Sequence, residues 1–266
     1  MIKITKDNYH SADNKFLSSS KMRDYDKSPE YFYNKHILRT IPSLQTEAII
    51  RGSLVDVLLT GSKSEMEKRF RVVERRNLKN PPIGYLEINQ SQYDEAEKIA
   101  SKIKKTPAWK ELKGHERQAI LFCDKPVGRF PGFGGMLDFL YVNRDIAIIT
   151  DLKTSSVIEP KKYYYHALDL NYDMQLAVYE DLVRYNFPEV KEVICRHLVV
   201  ETDKDEIYKV QTFQFHDSLI EMGRVKYKEI LKKIAKEKTY KDEPASFSKA
   251  VVLFEGGVAK QDNLNI

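Results

Sequence analysis

Asp138, Asp151 and Lys153 are the residues of this chain whose types and spacing could do metal and phosphate chemistry. They lie in the stretch GGMLDFLYVNRDIAIITDLKT, residues 134–154. Side chains at i and i+2 share one face of a strand, so Asp151 and Lys153 point together and Leu152 points away. With Asn143-Arg144 as a two-residue hairpin loop, Val142 pairs with Asp145 and Asp138 with Ile149. Directly paired residues share a face, which puts Asp138 diagonal to Asp151, with Cα atoms about 7–8 Å apart. A loop of odd length would put the two carboxylates on opposite faces. Asn suits the first loop position, whereas Arg is a poor second residue. Two carboxylates and an ammonium on one face suit a hard cation, since Mg²⁺ takes few carboxylates together with water and substrate phosphate. The lysine would hold a water or stabilise a pentavalent phosphate. The plainer alternative is an Asp–Lys pair on a solvated sheet face.

The elements that must carry these residues are legible around them. Residues 18–36 read as helical, with Ser18, Ser19 or Ser20 as cap and a break at Ser28-Pro29. Residues 47–60 form a second helical pattern that stops at Gly61. NPPIGY (80–85) is a loop, and 91–105 an amphipathic helix opening on a Ser cap. The period then changes. RQAILFC, GGMLDFLYV and DIAIITDLKT are apolar or alternating runs separated by Pro, Gly and Asn, read as consecutive antiparallel strands. A helix follows, firmest over MQLAVYEDLVRYNF and ending before Pro188. KEVICRHLVVET and EIYKVQTFQF read as two more strands, and 217–238 as a long basic amphipathic helix, by default a solvated face. The rest, 239–266, is expected to be part docked and part disordered. This order predicts an α/β (α+β) fold, a mixed central sheet flanked by helices in one domain over 1–266.

Composition narrows the class. The chain has 266 residues, 42% hydrophobic and 31% charged, enough for a sizeable core. The net charge of +5 is compatible with a polyanionic partner without requiring one. No apolar run reaches the ~18 residues that span a membrane, and MIKITKDNYH lacks a signal-peptide core. A cytoplasmic protein with no membrane partner is expected. Cys123 and Cys195 lack metal-type spacing and read as buried free thiols.

Gly135-Met136-Leu137-Asp138, twelve residues, then Asp151-Leu152-Lys153 resembles the G-x-x-D…(D/E)-x-K signature of the PD-(D/E)XK nucleases. QLAVY, Gln175 to Tyr179, resembles the Q-x-x-x-Y motif of the RecB-like branch, which includes the RecE and lambda-type phage exonucleases. LSSSKMRDYDKSPEYFYNKH is similar to that branch's N-terminal helical segment, RGSLVDVLL to its G-x-x-x-H helix, and HERQAILF to its Glu-bearing strand. The likeness runs from about Leu17 to Tyr185. Each motif is short; their order and spacing together are specific.

The resemblance implies a restriction-endonuclease-like core behind an N-terminal helical segment. It implies Asp138, Asp151 and the Leu152 carbonyl as ligands of Mg²⁺ or Mn²⁺, Lys153 orienting the attacking water, and Gln175 and Tyr179 bordering the active site and DNA. Gln175 and Tyr179 share a helix face at i, i+4, which also suits a surface glutamine and a core tyrosine. Where the branch often has a metal-binding His, this chain has Asp56, either an oxygen ligand or a helix-surface acid. Clustered relatives carry a Cys before the proline of the N-terminal segment; here it is Ser28-Pro29, and two cysteines cannot hold a four-cysteine iron–sulfur cluster. Glu116 would reach the metal through water or pair with Lys153 or Arg117. In KKYYYH, Lys161 and Lys162 would neutralise phosphates and Tyr164 would stack on a base, unless the tyrosines are core. The implied activity is an exonuclease on double-stranded DNA ends in phage-type recombination. The implied partners are those ends, a single-strand annealing protein, and further copies of the chain in a ring. An endonuclease of repair or restriction type and a non-cleaving binding protein are the alternatives.

Overall fold

The computed structural model describes residues 4–6, 8–11, 13–42, 45–76, 84–202 and 207–241, and the backbone of 252–254 and 257–259. Helices α1 (Ser19–Lys27) and α2 (Pro29–Phe32) are followed by a π-helical turn over Tyr33–Leu38. Ser18 and Ser28 cap the two helices by accepting from Lys21 N and Tyr31 N. Next come α3 (Glu47–Thr60), α4 (Lys63–Arg69), a small parallel pair β1 (Phe70–Val72) and β2 (Leu86–Ile88), α5 (Gln90–Lys104) and α6 (Pro107–Glu111). The cap of α5 is Asn89, not Ser91, because Gln92 reciprocates: its backbone N–H donates to the Asn89 side chain and its side chain accepts from the Asn89 backbone.

The core is a five-stranded mixed sheet in the order β3 (Glu116–Cys123), β4 (Phe133–Asn143), β5 (Ile146–Ser155), β6 (Glu192–Glu201), β7 (Val210–Gln214). β5 and β6 are parallel, joined by a crossover through α7 (Pro160–Asp169) and α8 (Tyr172–Asn186); the other neighbours are antiparallel. α9 (Asp217–Lys236) packs on α8 and α1. One apolar cluster, including Leu140, Ile149, Leu176, Val183 and Tyr227, lies between the sheet and α8–α9. A second, including Leu54, Ile99, Phe139, Leu198 and Trp109, lies under α3, α5 and α6. Of the segment 239–266, Tyr240 is buried and stacks on Phe32 and Tyr33, and a short hairpin pairs β8 (Val252–Phe254) with β9 (Gly257–Ala259); the other residues beyond 241, and most of the 80–85 loop, lie outside the described residues.

The β4–β5 hairpin differs from its expected register by two residues. Val142 pairs with Ala147 and Asn143 with Ile146, so the loop is Arg144-Asp145, not Asn143-Arg144. Arg144 takes the left-handed conformation, φ 53°. The Asp145 carbonyl accepts from the backbone N–H groups of Lys191 and Glu192 at 2.7 and 3.0 Å, which ties the turn to the start of β6. A shift of two keeps the parity of the faces. It also moves Asp138 from opposite Ile149 to opposite Asp151, one step past the last ladder pair, Phe139↔Thr150. There the strands part: Leu137 belongs to the cluster under α8 and Phe139 to the one under α3 and α5. β3 deforms alongside, with Gln118 at φ 51° where the register passes Asp138.

Candidate active site

The gap where β4 leaves β5 is filled by side chains. The Asp138 carboxylate accepts the Leu152 backbone N–H at 2.8 Å, in place of a ladder bond. One residue on, the Lys153 ammonium lies 2.5 Å from Asp151 Oδ2 and donates to Gln175 Oε1 at 3.0 Å. Gln175 Nε2 donates to Asp151 Oδ1 at 3.3 Å and to the Tyr179 hydroxyl at 2.9 Å. The Tyr179 hydroxyl donates to the Met136 carbonyl at 3.1 Å, closing the ring of contacts back onto β4. Helix α8 thus fixes both the lysine and its carboxylate partner from above the sheet. Gly135 makes room for this: a Cβ there would stand 2.6 Å from Tyr179 Cε1. Gly135→Ala is therefore expected to push the Tyr179 ring off Met136, destabilising the fold by about 1–3 kcal/mol as overpacking does, read as a lowered melting temperature.

The carboxylates are electrostatically frustrated. Asp138 keeps some solvent contact, but protein atoms crowd its carboxylate; burial first, then the charges of Asp151 and Asp56, push its pKa well above the usual range. Burial also raises Asp56, with Asp151 adding to it and Arg69 opposing. Asp151 Oδ2 is buried and receives no hydrogen bond of acceptable geometry, the Lys153 charge being its compensation. Burial opposes the Lys153 charge, yet Asp151 above all holds it on, and the ammonium's pKa is raised. Crowded carboxylates with an orphaned buried oxygen are what a divalent cation would relieve.

Among the described residues, no three His, Cys, Asp or Glu side chains are gathered as a ready ligand set. The donors that fit a hard cation are the Asp138 and Asp151 carboxylates with the Leu152 backbone. Asp56 stands within electrostatic reach but is otherwise engaged: Thr60 Oγ1 donates to its Oδ1 at 3.1 Å and Arg69 lies 3.9 Å away. Gln118 Nε2 in turn donates to Thr60 Oγ1 at 3.2 Å. Gly52, one turn before Asp56, lets α3 approach β5, since a Cβ there would meet Thr154 Oγ1 at 3.2 Å. Asp56→Ala is expected to weaken divalent-ion affinity about tenfold or less, as outer partners of a metal do at the low end of their range, with little change in melting temperature; isothermal titration with Mn²⁺ measures it.

Glu116 is not brought to the centre. It is exposed at the start of β3, opposite Leu140, while Lys153 is held by Asp151 and Gln175. Gln118 is the β3 residue that lies opposite Asp138, and no sequence signal marked it. In α7, Tyr163 is the core tyrosine, whereas Lys161, Lys162 and Tyr164 are exposed. Sequence reasoning also missed Tyr172, over whose ring the Lys153 ammonium sits 4.5 Å from the centroid.

Three cavities meet at this centre. One of about 590 Å³ is lined by Gly135, Met136, Gln175 and Tyr179, and by Ser18–Ser20, Lys21, Arg23, Lys35 and Arg39. Burial first, then the neighbouring charges of Arg39 and Lys15, lower Lys21 to about 8; Asp24, also in the lining, pairs with Lys35 at 2.8 Å. A second cavity, about 540 Å³, is lined by Asp56, Lys153, Thr154, His166 and Tyr172. A third, about 300 Å³, lies between Arg23, Lys153, Tyr172 and Gln175.

A family model described as a PDDEXK-like domain of unknown function (DUF3799) matches residues 18–253. The chain belongs to this family. The fold is that of the PD-(D/E)XK nucleases, and the G-x-x-D and D-x-K strings that resemble their signature lie on β4 and at the end of β5. Among solved structures, the chain is similar to one from Eubacterium rectale described as a "putative exonuclease", with a TM-score of 0.64, 20% identity, and 88% of this chain and 87% of that chain covered. At that identity the likeness is one of fold. SSO0001 matches at a TM-score of 0.26 and 16% identity over 53% of this chain and 68% of that one, and carries no argument. No curated protein matches. No helix among the described residues is long and apolar enough to cross a membrane.

Proposed function

We propose that this member of the PDDEXK-like family is a metal-dependent deoxyribonuclease that acts on double-stranded DNA ends. The observation that carries the reading is the Lys153 ammonium held between Asp151 and Gln175 beside a second, strained aspartate, Asp138. Asp138, Asp151 and the Leu152 carbonyl would hold Mg²⁺ or Mn²⁺. A bound ion of this kind supplies Lewis acidity to the phosphate and lowers the pKa of water.

The chain's own groups do the rest. Lys153 places a positive charge where negative charge develops on the phosphate and orients the attacking water. Asp151 holds that ammonium protonated, so it acts as an electrostatic group and not as a base. Gln175 and Tyr179 fix the aim of both. The cationic cavity beside Gln175 and Tyr179 suits the phosphates of a strand leading to the centre. Lys161, Lys162 and Tyr164 offer exposed charge and one exposed ring on α7 as a second contact.

Preference for ends, attack from the 5′ side, a ring of copies and an annealing protein as partner rest on the likeness of the motifs to the RecE and lambda-type exonucleases. End-labelled linear duplex and the closed circle of the same sequence, incubated with Mg²⁺, test the preference. The linear form is consumed and the circle survives. Comparable cutting of the circle would assign an endonuclease, and solution mass would report the number of copies.

A further inference from the structure

Lys153 does its work only if its flexible side chain stays aimed, and two of its neighbours in this structure are cavities. The 540 Å³ and 300 Å³ spaces both reach the lysine, and Tyr172 lines both. The ammonium lies 4.5 Å from the centre of the Tyr172 ring. Asp151 and Gln175 grip it from other directions, and Gln175 stands one turn after Tyr172 on α8, at i+3, so one helix face supplies both. A cation over an aromatic face is attracted to the ring's quadrupole, and more so where water is scarce.

The ring is itself held from behind. His197 lies 5.1 Å from it, edge to face at 80°, and His166 packs at 6.3 Å and 85°. His197 sits opposite Asp151 in the β5–β6 register and is fully buried. Its Nδ1 is bonded to the Tyr163 hydroxyl at 2.7 Å. Tyr163 stacks on Phe213 at 4.4 Å, which anchors this aromatic wall to β7. The Tyr172 hydroxyl has no hydrogen-bond partner among the described residues, so what the residue offers Lys153 is its ring.

We infer that Tyr172 is a positioning residue: its ring face, backed by His197, forms the floor that keeps the Lys153 ammonium on the reacting phosphate and out of the two cavities. This deepens the proposed nuclease function and rests on it for the kinetic part alone; the placement of the ammonium over the ring is testable without any activity.

Two readouts separate the two. In protein labelled with ¹³C-lysine, the ε-methylene signal of Lys153, identified by its loss in Lys153→Arg, is shifted upfield by the ring. Tyr172→Phe keeps that shift and Tyr172→Leu or Tyr172→Met abolishes it. In cleavage of linear duplex, Tyr172→Leu lowers kcat about ten- to hundred-fold, the scale of a misplaced reacting group, while KM stays within about twofold of wild type. Tyr172→Phe recovers most of the rate. No upfield shift in the wild-type protein overturns the inference, whatever DNA does. Wild-type rates in both the Leu and Phe variants, or equal losses in both, overturn it too, the first removing the ring from the mechanism and the second moving the role to the hydroxyl. A wild-type protein that shows the shift but cuts no DNA sinks the proposed function and leaves the floor standing.

Discussion

Lys153→Ala lowers the rate of DNA cleavage about 10²–10⁴-fold, the usual worth of a positioned electrostatic or proton-handling group. The expectation follows from how the side chain is held. Its ammonium is anchored to Asp151 Oδ2 at 2.5 Å and Gln175 Oε1 at 3.0 Å, so a shortened side chain has no substitute nearby on the same face. Metal affinity moves the other way or stays level. Removing the lysine leaves Asp151 Oδ2 without its compensating charge, and a divalent ion is then the partner that oxygen lacks. Initial rates on linear duplex, with Mn²⁺ titration of the same sample, measure both. A near wild-type rate would remove Lys153 from the mechanism. Lys153→Arg is not a conservative rescue here, because a planar guanidinium cannot sit as a point charge between a carboxylate and an amide oxygen.

Asp138→Asn stabilises the metal-free protein at neutral pH while abolishing cleavage. Burial and the Asp151 and Asp56 charges raise the Asp138 pKa in the folded state. The folded protein therefore binds the Asp138 proton more tightly than the unfolded chain does. With the group ionised, above its raised folded pKa, the native state bears the full cost of the buried charge. As pH falls through that folded pKa toward the ordinary carboxylate value, stability is recovered, the reverse of a salt-bridged aspartate. Asparagine removes the charge and keeps an oxygen to accept the Leu152 N–H. In EDTA at pH 7.5, as about the working pH, the melting temperature of the variant should exceed that of wild type, by about 2–4 °C for each kcal/mol relieved. The gap should close on acidification. Mg²⁺ should raise the wild-type melting temperature and leave the variant unmoved, since binding to the folded state alone stabilises it. A variant less stable than wild type in EDTA would mean that Asp138 earns its place through structure.

Much of this was legible in the residues, and the failures have physical causes. The parity of the β4–β5 hairpin placed Asp138 on the side of Asp151 although the loop lies one residue further on and the pairing register is shifted by two. Asn143 suits the first loop position though Arg144 is a poor second, and the Asp145 carbonyl is bound by the backbone of Lys191 and Glu192, a contact from another part of the chain. Ser91 lost the α5 cap to Asn89 through a reciprocal bond that only the three-residue spacing to Gln92 reveals. Gln175 and Tyr179 were singled out by the likeness of QLAVY to the Q-x-x-x-Y motif, and their i, i+4 spacing puts both on the face of α8 that meets Asp151 and Met136. Tyr172 lies on that same face, yet a tyrosine at a helix start looks like any core aromatic until the lysine is seen above it. Gln118 was invisible because its role depends on a left-handed backbone at φ 51° in a strand, which no residue type announces. Glu116 was left open between the metal and a pairing role, because an acid at a strand start carries no sign of which way it faces; it stands exposed here.

The most direct measurement is the fate of end-labelled linear duplex DNA with the wild-type protein in Mg²⁺, in Mn²⁺ and in EDTA, beside Asp151→Asn. Degradation with either ion, none in EDTA and none with the variant is the predicted result. Cutting that persists in EDTA or in Asp151→Asn, or no cutting with either ion present, would contradict a metal-dependent nuclease centred on Asp138, Asp151 and Lys153.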